Sequence, residues 1–244
     1  MRFLFLLVLS LAPAVAAQEG TIKYDVTTRL DIELPPEMQA MADQFPKETT
    51  QQLIVHFTPS ATLSMPAPRD PEADNRTSRN GRIRFMMGGA RSDDRTFFDL
   101  DEGKMIEKKD FLGRTFLIEG EPKPLPWRLT AERSTFLGYD CQKAVAVQDS
   151  TTYEAWFTTQ ILASVGPEHY GGLPGAILVL TRDEGQKTYV ATAVALAPVD
   201  PELIARPTEG QRVTQEEFDA IVEEKMEEMR AARGGRGMSF TIRQ

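Results

Sequence analysis

The residue pattern predicts a mainly β fold: a curved antiparallel sheet or open half-barrel, with a short Met-bearing helix and a C-terminal amphipathic helix packed against it. Three observations carry this prediction. Apolar and polar residues alternate through many short runs, turn-forming residues separate those runs at close spacing, and a sustained helical apolar period occurs near the C-terminus. The runs number about nine to eleven strands, too many for a flat sheet, hence the expected curvature.

Residues 1–17 begin with Arg2, run apolar from Phe3 to Leu11 and close on Ala14-Val15-Ala16-Ala17, the pattern of a secretory signal peptide cleaved after Ala17. The apolar run is too short for a permanent bilayer anchor, and no later run is long enough to be a transmembrane segment of the mature chain. The remainder divides into an antiparallel β domain over 18–197, a Pro-containing linker over 198–213, and a C-terminal helix and tail over 214–244 packed on the β domain.

Ile22, Tyr24, Val26, Leu30, Ile32 and Leu34 alternate with polar residues and predict a long strand with one wet face. Pro35-Pro36 ends it, and Met38 and Met41, three apart, predict one or two helical turns over 37–44 as a lid on the sheet. Leu53, Val55 and Phe57 resume the strand period and put His56 on the opposite face. The composition of 59–78 predicts a long mobile loop, followed by a hairpin turn at Asn80-Gly81. Runs over 83–87, 96–100, 104–109 and 114–118 read as a meander of short strands.

Trp127 and Leu129 share a face, and 136–139 turns the chain into a strand over 141–147, where Gln142, Ala144 and Ala146 lie on one side and leave room for another element. A strand over 153–158 sets Glu154, Trp156 and Thr158 on one face, with Trp156 the largest group available to pack beside the glycine-rich turn downstream. That turn is Gly171-Gly172-Leu173-Pro174-Gly175, whose glycines permit backbone angles closed to other residues, and it leads into 176–180, apolar at every position as in a strand covered on both sides. Asp183-Glu184-Gly185 leads to a last long strand over 188–196. Thr214 and Glu217 form a capping box, and Phe218, Ile221, Val222, Met226 and Met229 make the apolar stripe of a helix. An edge strand is expected over 239–243.

Charge and chemistry exclude several function classes. A net charge of −8 argues against general polyanion binding, and one Arg-Gly-Gly-Arg-Gly repeat on an acidic chain is no nucleic-acid module. The arginines crowding 69–95 read as a solvated loop and hairpin. Cys141 has no partner for an internal disulfide and reads as a buried thiol. No Gly-x-Ser-x-Gly elbow, His-Glu-x-x-His motif or phosphate-binding loop occurs, so we expect no enzyme, no catalytic residue and no cofactor. Soft-metal ligands are present in Met38, Met41, Met86, Met87, Met226, Met229, His56, His169 and Cys141, but a copper site would need several of them to converge, and no metal ligand set is assigned.

The Trp156 strand, Gly166-Pro167 and the turn carrying Gly172, Leu173, Pro174, Gly175 and Ile177 together resemble the GLPGLI family of exported bacterial proteins. The resemblance extends through 110–118, 127–129 and 137–144, with Ala176 in place of the family's usual leucine and Thr159 and Leu162 in place of frequent prolines. It implies residence in the periplasm, or association with the outer membrane, of a Gram-negative bacterium, and it implies no reaction. By analogy with exported half-barrels that carry lipids or lipidated segments, the expected role is a binding protein, a carrier or chaperone for an apolar ligand or peptide held in an apolar cleft. The alternatives are a structural or interaction partner of an outer-membrane protein and a copper-binding protein.

Overall fold

The computed structural model describes residues 18–30, 47–68 and 93–232. The secretory segment, the Met-bearing turns over 37–44, the hairpin and strand over 80–87 and the tail strand over 239–243 lie outside them.

The described residues form one open twelve-stranded sheet in the order β12-β6-β5-β4-β3-β2-β1-β11-β10-β9-β8-β7. Its strands are β1 (Gly20–Arg29), β2 (Glu48–Phe57), β3 (Ala61–Pro66), β4 (Arg95–Asp99), β5 (Lys104–Phe111), β6 (Arg114–Gly120), β7 (Arg128–Phe136), β8 (Tyr139–Gln148), β9 (Thr151–Thr158), β10 (Ala176–Arg182), β11 (Lys187–Ala195) and β12 (Gln211–Val213). Helix α1 (Gln215–Ala232) comes after β12. All neighbours pair antiparallel except β12, which runs parallel to β6. The first strand sits in the middle, between β2 and β11, and joins two runs of sequential hairpins.

β3 corrects the expectation of a mobile loop over 59–78 for its first part, while 69–78 lie outside the described residues. Ala61 and Leu63 alternate with Thr62 and Ser64, and all four are buried, because both faces of this strand are covered. A strand this short, closed by Pro66, offers too few alternations to stand out from its Pro- and Ser-rich surroundings.

Register assigns the faces. Ile22, Tyr24, Val55, Phe57, Tyr189, Leu180, Ala155 and Ala144 project to one side and form the main core. The same core includes Ile161, Val165, Tyr170 and Leu173, all from 159–175. This connection between β9 and β10 therefore folds back over the sheet and fills much of its concave side. Ala144 and Ala155 face one another across β8 and β9, both fully buried, which is the room that small side chains leave for a covering segment.

The C-terminal part wraps the opposite arm. A 3-10 turn at Pro201–Ile204 sets Ile204 against Ala61, Leu63 and Phe97 on the outer face, so the Pro-containing linker is itself attached to the sheet. β12 then extends the β6 edge, and α1 turns in on the concave side, where Phe218 meets Phe111 and Phe116 edge-on at 6.1 and 5.3 Å. The capping box is formed: Glu217 N–H donates to Thr214 Oγ1 at 3.2 Å, and Thr214 N–H donates to Glu217 Oε2 at 2.8 Å. Only the first turns of α1 dock. Phe218, Ile221 and Val222 pack on β6, whereas Met226 is exposed. No helix among the described residues is long and apolar enough to cross a membrane.

Candidate functional site

The Gly-Pro corner works as a clamp on the segment before it. Gly175 has φ +149°, and a Cβ there would collide with the Thr158 carbonyl oxygen; its N–H donates to Leu173 O at 2.8 Å. Gly172, at φ +82°, donates its N–H to Ser164 Oγ at 3.0 Å. Ile177 N–H donates to Val165 O at 2.8 Å, and the Ile177 carbonyl accepts from the fully buried Tyr24 hydroxyl at 2.7 Å. The tryptophan that grips the corner is Trp127, whose Nε1–H donates to Gly171 O at 2.9 Å; the ring beside Trp156 is Phe136, at 5.6 Å. Leu173 and Ile177 are core residues and Pro174 is exposed.

Held in this way, 166–170 forms a tight turn aimed into the concavity. Gly166 leaves no space for a Cβ beside the Tyr170 carbonyl, and Tyr170 N–H donates to Pro167 O at 3.0 Å. Glu168 takes φ +53°, a left-handed conformation that costs a non-glycine residue on the order of 1 kcal/mol or more. Its surroundings hold it there. Ser64 Oγ–H on β3 donates to Glu168 O at 3.1 Å, and the carboxylate accepts from Lys187 Nζ on β11 at 2.8 Å. Burial disfavours the Glu168 charge, but the Lys187 charge and hydrogen bond more than offset this and hold the carboxyl below its ordinary range.

His169 stacks against Tyr170 at 4.5 Å, and its Nδ1 lies 4.0 Å from Glu107 Oε1 without a hydrogen bond. Burial lowers its pKa, only partly opposed by Glu168 and Glu107, so the ring is neutral at pH 7. Tyr170 and Tyr189 are raised by burial, with the Glu168 charge adding to the effect. The Tyr189 hydroxyl is buried close enough to Glu168 to sense its charge, yet among the described residues it meets no partner at hydrogen-bonding geometry.

The turn divides the concave side into two clefts, of about 730 Å³ and 850 Å³, that share Asp149, Thr151, Glu168, His169, Tyr170 and Arg182. The smaller is walled by Phe98, Met105, Leu125 and Tyr153; the larger by polar groups such as Gln51, Thr96, Glu107, Lys109 and Lys187. The expected apolar cleft is thus only half present. The second half carries charge because Glu107, Lys109 and Lys187 sit at inward positions of their strands.

The other residues considered for chemistry stay apart. Cys141 is buried on β8, where its thiol donates to Tyr139 O at 3.6 Å and burial pushes its pKa up. It alternates with the core-facing Ala144 and so points away from the His169 side. His56 bonds Thr21 Oγ1 at 2.9 Å on β2. Among the described residues no three His, Cys, Asp or Glu side chains gather as a ligand set. Sequence reasoning missed Arg182, Lys187 and Tyr189, although charged residues on the inward face of otherwise apolar strands were a signal for them.

Comparison with known proteins adds a local family match and a fold. A family model described as a protein of unknown function (Porph_ging) matches residues 145–179, from the end of β8 to β10. No curated protein matches the chain. The fold of the chain is similar to that of PNGF-II, solved in a C2 crystal form at 16% identity and in a P21 form at 15%, each with TM-score 0.56 over 85% of this chain. The chain spans 33% and 34% of those chains, about a third of their length.

Proposed function

We propose that the chain is an exported binding protein of the GLPGLI type, periplasmic or outer-membrane associated, that holds a small molecule or peptide segment in its concave side and performs no reaction of its own. One observation carries this reading: the open sheet curls around two clefts that meet at Glu168, His169 and Tyr170, the turn that the Gly-Pro corner positions. The left-handed Glu168 lies at that junction, together with His169 Nδ1 and the Tyr189 hydroxyl, buried polar atoms without a hydrogen-bond partner among the described residues, a combination seen where a protein is built to meet something else. Export is supported by the signal-like pattern of residues 1–17. The mixed lining moves the ligand class from purely apolar to amphipathic.

Native mass spectrometry of the full chain, expressed with its leader and recovered from the periplasm, tests this. A discrete added mass that a bulky Gln148→Trp replacement at the wall of the smaller cleft removes, with the melting temperature unchanged, is the expected result. Ligand-free protein in every preparation, or a ligand retained by that variant, would count against the cleft. Recovery only as a complex with an outer-membrane protein, with the clefts empty, would favour the interaction role.

A further inference from the structure

We infer that the junction of the two clefts is a carboxylate site centred on Arg182, and that the ligand is an apolar carboxylate whose hydrocarbon part enters the smaller cleft; this rests on the binding role proposed above. Arg182 ends β10 on the concave face, directly opposite Tyr153 on one side and Lys187 on the other. Like charges placed opposite each other across a sheet repel unless each is compensated. Lys187 is compensated by Glu168 at 2.8 Å. Arg182 is not: among the described residues it forms no ion pair, while Lys108, Lys109 and Lys143 each hold a carboxylate.

The guanidinium has a defined setting. It borders both clefts and stands near enough to the Tyr170 hydroxyl to act on it electrostatically. Asp149 also borders both clefts, and among the described residues it forms no ion pair with Arg182. A half-buried arginine beside tyrosine hydroxyls presents a planar fork suited to a carboxylate, which it can grip through two parallel hydrogen bonds. The neighbouring cleft supplies the other half of the recognition, with Phe98, Met105, Leu125, Tyr153 and Tyr170 forming an apolar and aromatic wall next to the charge.

Two sources share this chemistry: a free fatty acid, and the C-terminus of a peptide ending in an apolar residue. Calorimetric titration of the full chain at pH 7 with octanoate against octanamide, and with N-acetyl-Leu-Phe against its C-terminal amide, tests the inference and separates the sources. At least one acid should bind roughly tenfold or more tighter than its amide, the range expected for hydrogen bonds to a charged group. Within that series each added methylene should tighten binding by up to about fourfold until the cleft is full. Arg182→Gln should abolish the preference for acid while leaving the melting temperature unchanged, and Arg182→Lys should restore part of it. Octanoate alone binding assigns a fatty acid; the peptide acid alone binding assigns a C-terminus. Equal binding of acid and amide, or a preference that survives Arg182→Gln, overturns the carboxylate site. If neither acid binds while protein from the periplasm carries a ligand in the cleft, the carboxylate site falls and the binding role stands.

Discussion

Gly175 shows how much of this molecule depends on single positions. Its φ of +149° and the Thr158 carbonyl pressed against its Cα leave room for a hydrogen and nothing larger. Gly175→Ala should therefore cost at least about 2 kcal/mol, from the backbone conformation together with the displaced carbonyl. Urea denaturation reads this directly, and an alanine variant of unchanged stability would show that the corner is not strained. The residue types of the corner were legible in the sequence, because Gly-Gly-Leu-Pro-Gly before an apolar run permits few conformations. Its tertiary partner was not. Trp127 and Trp156 are equally large, and only the path of the chain before β7 brings Trp127 within hydrogen-bonding distance of Gly171. The same holds for Arg182: a charged residue ending an apolar strand looks like a solubilising terminus until the facing strand shows Lys187 beside it.

Among the elements, α1 and β3 differ most in how plainly they could be read. The helix carries its own start signal in Thr214 and Glu217 and a period of apolar residues, both local features that need no partner to be recognised. How far it docks is a tertiary matter: the apolar wall that Phe111 of β5 and Phe116 of β6 build receives Phe218, and among the described residues Met226 is left exposed. This predicts a graded helix. Thr214→Ala should cost about 1 kcal/mol and Phe218→Ala more, because two edge-on ring contacts are lost with the buried side chain. In hydrogen exchange, amides over 215–222 should lose protection in both variants while those of β1 and β11 keep theirs; simultaneous loss in the central strands would mean that α1 and the sheet unfold as one unit. β3 is the opposite case. Covered on both faces by Ile204 and the concave segment, it owes its strand conformation to neighbours remote in sequence.

For the whole molecule, the turn at 166–170 is the tie between the two arms of the sheet, reaching β3 through Ser64, β11 through Lys187 and β5 through the approach of His169 to Glu107. Its titration should appear in global stability. His169 has a folded pKa below its usual 6.5, so the unfolded chain takes up the proton first and stability falls as pH drops below about 6.5. Glu168 has a folded pKa below its usual 4.5, so its contribution is present above that value and is lost as pH falls through the depressed folded pKa. Melting temperatures from pH 7 to 3 should decline in both windows. His169→Gln should flatten the upper one and Glu168→Gln the lower; parallel curves for wild type and variants would sever the tie from stability. The open, curved β architecture was visible in the sequence, since alternation and turn spacing repeat along the chain. The strand order was not, because nothing local tells β1 to choose β11 as its second neighbour. That choice reaches into synthesis. The polypeptide is made from its N-terminus, so β1 to β6 emerge first and can zip together while one side of β1 stays bare, its amides and carbonyls open to any passing strand. Closure waits until the residues of β11 arrive late in translation, a delay that makes folding slow and a holding partner for the nascent chain useful.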